Sequence, residues 1–324
     1  MTNQNQVQQT RTAFLFAGQG AQFTGMGEDI YRNYQTARDV FDHVSELADF
    51  DIRDFCFHAA PEQQKNTALV QPAIFTMSMA TAAVLDENGN NPQAAAGLSL
   101  GEYAALCQAR VFSITDGVSI LRQRGQIMAD ALPEGVSGMY AVMMLDADRI
   151  QAACTQASLA VPGTAEIANY NCPGQIVISG NRETVDEAAR LCLEAGAKRA
   201  VPLAVSGAFH TSLLKEAGEK LAAVLSAYTF SDPVIPVYRN LTGTPDCADT
   251  RDSLRQQISS SVRFEQTIRN MMDDGITRFI EIGPGKTLSG FVKKTVRAVS
   301  KEKETGDIQI SSCQNAAELE NLLK

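Results

Sequence analysis

The N-terminus lacks a basic segment followed by an apolar run: Met1 to Thr10 is polar and Gln-rich. No signal peptide is therefore expected, and residues 1–10 read as a short disordered lead-in. No stretch reads as long and apolar enough to span a bilayer, so no membrane partner is expected. Cations are in deficit, with 28 Lys and Arg against 37 Asp and Glu for a net charge of −9. Non-specific nucleic-acid binding needs a clustered basic surface and is not expected. An anionic substrate stays open, because a local basic patch can sit on an acidic protein. The seven cysteines are scattered without C-x-x-C spacing. An odd, dispersed set speaks for reduced thiols in a cytoplasm, and against a disulfide framework or a metal site.

What is present is a 324-residue chain that is 44% hydrophobic, enough for one large domain with an insertion, or for two domains. Thr12 to Phe16 reads as a buried strand ending in the turn Gly18-Gln19-Gly20. Helical periodicity runs from about Ile30 to Leu47, and Pro72 to Leu85 reads as a buried helix with proline in its first turn. Thr115 or Asp116 is the expected cap of a further helix reaching about Ala131. From Gly138 to Val205 the rhythm becomes β-α-β-β-α-β, the ferredoxin-like signature. The fold class is therefore α/β, with a ferredoxin-like insert at 134–204 inside a larger sheet domain formed by 11–133 and 205–324. Single helices are expected over Thr211 to Ala227 and Asp252 to Met272, with strands at Lys198 to Val205, Ile235 to Asn240 and Arg278 to Ile282.

Gly97-Leu98-Ser99-Leu100-Gly101 is G-x-S-x-G between a small apolar stretch and a helix. The flanking glycines permit a sharp strand-to-helix turn that lifts a serine hydroxyl out of the sheet. The following helix puts its positive end and free N–H groups beside a developing oxyanion. A Gly/Ser-rich turn without chemistry is the blander reading, and the placement favours the nucleophile. Cys107 competes only weakly, since it lies inside a helical run with no turn to expose it. A serine nucleophile usually needs a base, and the chain offers only His43, His58 and His210. The first two fall in stretches with nothing else suggestive of a site. His210 follows an apolar strand and the flexible Ser206-Gly207-Ala208 stretch, which makes it the first candidate. Arg124 projects toward the apolar stripe of Leu121 and Met128. A guanidinium there wants a carboxylate, although an internal salt bridge or a snorkelling side chain reads equally well.

FAGQGAQ (Phe16 to Gln22), GLSLGEYAAL (Gly97 to Leu106), LRQRGQIM (Leu121 to Met128), NCPGQIVISG (Asn171 to Gly180), GAFH (Gly207 to His210) and EIGPGKTLSG (Glu281 to Gly290) run through almost the whole chain. Together they resemble the malonyl-CoA:acyl carrier protein transacylases, in the family's order. The resemblance implies an α/β-hydrolase-like large domain with a ferredoxin-like insert. It implies that Ser99 attacks the malonyl thioester, His210 takes its proton, and the malonyl-serine ester then passes to the phosphopantetheine thiol of an acyl carrier protein. It assigns the oxyanion hole to the backbone N–H groups of Gln19 and Leu100. Arg124 matches the arginine that holds malonate's free carboxylate. Gln257 matches a residue whose main-chain carbonyl orients the histidine. Phe209 resembles the bulky residue that leaves little room for an α-methyl group. No cofactor is implied beyond the coenzyme A thioester itself, which is substrate.

Two departures stand out. Leu98 replaces the histidine that many relatives carry before the nucleophile, and Ile258 to Val262 lacks the proline often found there. Two other motifs fail. Gly283-Pro284-Gly285-Lys286-Thr287 ends like a phosphate loop, but Ile280 stands where its first glycine belongs. Gly18-Gln19-Gly20 does not extend to a dinucleotide fingerprint, because Phe23 occupies its last position. A C-terminal basic cluster, Lys286, Lys293, Lys294, Arg297, Lys301 and Lys303, reads as a solvated helix face or as an attractant for an anionic carrier. The expected function is malonyl transfer for fatty-acid synthesis in the cytoplasm by a monomer. A trans-acting malonyltransferase of polyketide synthesis, an acyl-thioester hydrolase and a carrier-docking subunit with a dead site are the alternatives.

Overall fold

The larger sheet begins with β1 (Thr12–Phe16), whose five side chains are all buried. Strand β2 (Ala94–Gly97) pairs with it in parallel on one side. The other strands are β3 (Ser137–Met143), β4 (Ala165–Cys172), β5 (Gln175–Asn181), β6 (Arg199–Pro202), β7 (Val237–Tyr238), β8 (Arg278–Ile282) and β9 (Gln309–Cys313). The computed structural model describes residues 10–133, 135–203 and 207–324. The expected lead-in therefore lies outside the described residues, apart from Thr10. So do Glu134, the end of the last insert strand (Ala204 and Val205) and Ser206.

The large sheet has the order β7-β2-β1-β8-β9, with every pair parallel. Helices cover both faces, which is why its inner strands read as continuous apolar runs without alternation. Chain order reverses beside β1, so the loops leaving β1, β2 and β8 open into one crevice at the carboxyl ends of the strands. The second sheet, β4-β5-β3-β6, is antiparallel. With the helices Ala147–Ala160 and Arg182–Glu194 on one face it has its own core of Val142, Ile150, Ile178, Val185 and Cys192. This is the ferredoxin-like arrangement, inserted in an α/β-hydrolase-like domain. It is stitched to the large domain beside the crevice, where Tyr170 N–H donates to the Val262 carbonyl and Val262 N–H to that of Ala168.

Several local expectations need correction. Pro72 is interior to its helix, which starts at Thr67 and is capped by the Asn66 side chain. That helix, Thr67–Glu87, is long and apolar enough by length and composition to cross a membrane, contrary to expectation. Here 89% of its apolar window is buried within the protein. Ser113, neither Thr115 nor Asp116, caps the helix Ile114–Ala129. The Ile30–Leu47 stretch breaks at Tyr34 into Glu28–Asn33 and Gln35–Leu47. The region after the insert is a short 3₁₀ turn, Ser212–Leu214, followed by the helix Lys215–Leu225. The stretch Asp252 to Met272 is two helices, Thr250–Gln257 and Phe264–Asp273. Of the described residues in the expected Lys198 to Val205 strand, Lys198 and Leu203 lie outside β6; β7 is shorter than expected, and β9 was not foreseen.

Candidate active site

The elbow forms because two glycines leave room that no other residue would. A Cβ on Gly97 would sit 2.0 Å from the Gly101 carbonyl carbon, and one on Gly101 would sit 2.2 Å from the Phe16 carbonyl oxygen. Between them Ser99 takes the left-handed conformation, at φ 55°. A non-glycine residue there costs about 1–3 kcal/mol and persists only when its surroundings hold it. Asn240 supplies that hold. Its Oδ1 accepts from the Ser99 N–H at 2.7 Å, and its Nδ2 donates to the Gly97 carbonyl at 2.6 Å. Two net hydrogen bonds at about 1 kcal/mol each are of the same size as the strain.

Ser99 Oγ lies 2.8 Å from His210 Nε2. On its far side the imidazole Nδ1 is 2.9 Å from the main-chain oxygen of Gln257. A carbonyl only accepts, so Nδ1 carries the proton and Nε2 is left to accept from the serine hydroxyl. Gln257 is the last residue of its helix, where carbonyls have no partner within the helix. The unforeseen break after Gln257 thus creates the acceptor that stands in place of a third acid. His210 is buried, and its pKa is pushed down to about 4 by burial first and the Arg124 charge second, against the opposing pull of the Gln257 carbonyl. The imidazole is neutral at pH 7 and able to take a proton.

Arg124 is fully buried beneath the serine. Its Nη2 donates to Ser99 Oγ and to Gln257 Oε1, both at 3.1 Å, and its Nη1 donates to Gln71 Oε1 at 2.7 Å. The Tyr103 ring lies 5.2 Å from the guanidinium carbon. Arg124 Nε has no partner among the described residues. Burial lowers the Arg124 pKa, with Tyr103 and Glu102 opposing.

Ser99 and His210 open onto a cavity of about 280 Å³ between the two sheets, with Arg124 buried behind Ser99 and outside its lining. The β1 turn with Gln19, the elbow with Leu98 and Ser99, Phe209 and His210 form part of its wall. Gly20 N–H turns aside to the Gln22 side chain. The Gln19 and Leu100 N–H groups are left without an acceptor among the described residues, whereas that of Ser99 is taken by Asn240. Asn171 is buried on the insert's side of the cavity, and its Oδ1 has no partner among the described residues. Among the described residues no group of three His, Cys, Asp or Glu could hold a metal. Cys107 is buried and its thiol pushed far up by burial, as expected of a core residue. His43 reaches Thr115 instead, and His58 ends the helix Ile52–His58; neither joins the site.

Sequence reasoning missed Glu102, Asn240, Gln71 and Asn171. Glu102 and Asn171 lie inside quoted motifs, so the signal was at hand. Asn240 and Gln71 stood in no motif and appear only through the fold.

The sequence pattern of the acyl transferase domain matches residues 13–318. The chain belongs to that family. A malonyl CoA-acyl carrier protein transacylase of Bacillus subtilis is 42% identical over 290 residues, covering 89% of this chain and 91% of its own. The crystal structure of a malonyl CoA-acyl carrier protein transacylase from Clostridium perfringens superposes with a TM-score of 0.90 at 36% identity, over 97% of this chain and 96% of its own. A malonyl-transacylase in complex with a type II polyketide acyl-carrier protein gives a TM-score of 0.90 at 33% identity, over 97% and 99%. In this acyl transferase, the six quoted motifs are the segments that surround or support the cavity.

Proposed function

We propose that this acyl transferase moves the malonyl group of malonyl-CoA to the phosphopantetheine thiol of an acyl carrier protein, for fatty-acid biosynthesis. The observation that carries this reading is the buried Arg124 guanidinium beside the Ser99–His210 pair, forming no ion pair with a described carboxylate. A buried charge without a counter-ion costs several kcal/mol. Malonate's free carboxylate supplies the counter-ion, and a neutral acyl group does not. The relatives' names point the same way.

In the first half-reaction His210 Nε2 takes the hydroxyl proton as Ser99 Oγ attacks the thioester carbonyl. The Gln19 and Leu100 N–H groups receive the developing oxyanion. The tetrahedral adduct collapses, the C–S bond breaks, and His210 returns its proton to the departing coenzyme A thiolate. In the second half the carrier's thiol gives its proton to His210 and attacks the malonyl-serine ester; the C–O bond breaks, and His210 passes that proton to Ser99 Oγ, which leaves as the alcohol. Gln257 keeps the imidazole in the required tautomer through both halves. Phe209 narrows the pocket beside the α-carbon. The acyl group arrives on coenzyme A, so no resident cofactor is called for.

A carrier partner also suits the helix Thr287–Glu302. Thr287, Leu288 and Phe291 line the cavity, and exposed Lys293, Lys294, Arg297 and Lys301 continue from it. We take the protein to act as a cytoplasmic monomer without nucleic-acid or membrane partners. Service to a polyketide carrier is the second reading, favoured only by the likeness to the polyketide malonyl-transacylase complex.

Intact-protein mass after brief incubation with malonyl-CoA tests the proposal, on the native chain and on Ser99→Ala, with acetyl-CoA alongside. A malonyl adduct on the native chain alone, with little acetyl adduct, supports it. Steady release of coenzyme A without an adduct points to hydrolysis. Neither adduct nor turnover points to a docking subunit with a dead site.

A further inference from the structure

Every described group that touches the Arg124 guanidinium is neutral. Nη1 meets the Gln71 amide oxygen, and Nη2 meets the Gln257 amide oxygen and Ser99 Oγ. Tyr103 offers a ring face. The nearby carboxylate is turned away: Glu102 Oε2 accepts from the Asn240 N–H at 3.0 Å and from Gln257 Nε2 at 2.9 Å, and its Oε1 lies 3.6 Å from Arg239 Nη1. Glu102 therefore balances Arg239 and leaves Arg124 positive.

Gln71 stands where a counter-ion would be expected. It is fully buried on the helix Thr67–Glu87, and its amide orientation is fixed from both ends. Nε2 faces Gln19 Oε1 and Met128 Sδ, each at 3.4 Å, so Oε1 is left for the arginine. The two helices come close enough for this contact because residue 125 is glycine. A Cβ there would lie 2.6 Å from the Thr67 carbonyl oxygen. A glutamate at 71 would fit the same space and reach the same nitrogen as a charge-assisted pair. With an amide there, the guanidinium is held in place and its charge remains available.

We infer that Gln71 is a specificity-positioning residue: its amide holds Arg124 against Ser99 Oγ, behind the acyl pocket, without neutralising it. The preference for an acyl group bearing a free carboxylate then depends on an amide, not an acid, at this position. The inference rests on the malonyl-transfer reading and identifies what within the protein sets its selectivity.

The test compares the rates of Ser99 acylation by malonyl-CoA and by acetyl-CoA, on the full chain, for the native protein, Gln71→Glu and Gln71→Met. Gln71→Glu should lower the malonyl-to-acetyl ratio by roughly 100-fold, mainly through a higher KM for malonyl-CoA, because the new carboxylate competes for the buried charge. Gln71→Met keeps the charge and loses the hold, and should lower the ratio by about 10-fold. If both acylation rates fall together and the ratio is preserved, Gln71 is a packing residue and the inference is wrong. If Gln71→Glu does not fold, an unchanged ratio in Gln71→Met overturns the inference by itself. A native protein that loads no malonyl group sinks the malonyl-transfer reading instead, so the two failures are distinct.

Discussion

The main-chain carbonyl of Gln257 and Nδ1 of His210 lie 2.9 Å apart, while the side chain of the same glutamine reaches Arg124, the Ser99 carbonyl and Glu102. One residue at a helix end thus fixes the His210 imidazole by its backbone, and the Arg124 guanidinium and the elbow by its amide. The two roles separate under mutation. Gln257→Ala keeps the carbonyl and loses the amide contacts. We expect malonyl loading to fall by about 10- to 100-fold through three lost hydrogen bonds, with the acid limb of its pH profile little changed. Stopped-flow acylation across pH checks this.

The pH profile of the native protein follows from His210. Its pKa is pushed down to about 4, from an ordinary value near 6.5. The imidazole must be neutral to accept the serine proton, so activity is lost as pH falls through the folded value. It stays nearly level from pH 7 to about 5. Removing the Arg124 charge takes away the second cause of the depression. The acid limb of the slow residual acylation in Arg124→Met should therefore move up in pH. A limb near 6.5 in the native protein would show the site to be wetter than its burial indicates.

Much of this site was legible because its chemistry needs particular residues at short spacing. Gly97, Ser99 and Gly101 announce the elbow by the backbone room they require, and His210 stood out among three histidines. Arg124 could be placed on an apolar stripe, but an internal ion pair fitted as well. Only the folded neighbours reveal that no described acid pairs with it. Asn240 is 141 residues from Ser99 in the chain, and no local pattern links them. The break after Gln257 escaped notice because helical periodicity carries across the short loop 258–263. Pro72 misled for a related reason. Proline is common in first turns, but here the Asn66 cap starts the helix earlier and the buried interior tolerates the missing N–H.

The elbow's strain makes Asn240 a sensitive position. Asn240→Ala strands the half-buried Ser99 N–H and the buried Gly97 carbonyl. A loss of about 2–4 kcal/mol in unfolding free energy is expected from two unsatisfied groups, together with a fall in kcat. Urea denaturation alongside the acylation rate checks this. A variant of native stability and native rate would mean that the glycines alone hold the turn.

Glu102 and Arg239 are both buried, and their charged atoms approach only to 3.6 Å. Glu102→Gln leaves Arg239 uncompensated and keeps the volume. Breaking such a pair from one side costs about 3–5 kcal/mol. The urea midpoint should drop with the m-value unchanged. Glu102→Gln combined with Arg239→Met should recover much of the loss, because the orphaned charge is then gone.

Charge reversal on the basic face of the helix Thr287–Glu302 should tell the two half-reactions apart. Neighbouring acids are already engaged: Glu265 and Glu302 pair with Arg269, and Asp273 with Lys303. Lys293, Lys294, Arg297 and Lys301 form no ion pair with a described acid, so a positive stripe leads from the cavity wall on a protein of net charge −9. A stripe of that sign acts mainly on the encounter rate with an anionic partner and is screened by salt. Reversal of Lys293 and Lys294 to glutamate should slow transfer to the carrier by about 10-fold or more at low salt, and much less at high salt. Loading of Ser99 from malonyl-CoA should change less, since the smaller substrate meets fewer of these charges. Equal slowing of both halves would assign the stripe to coenzyme A, and no slowing of either would make it a solvated helix face.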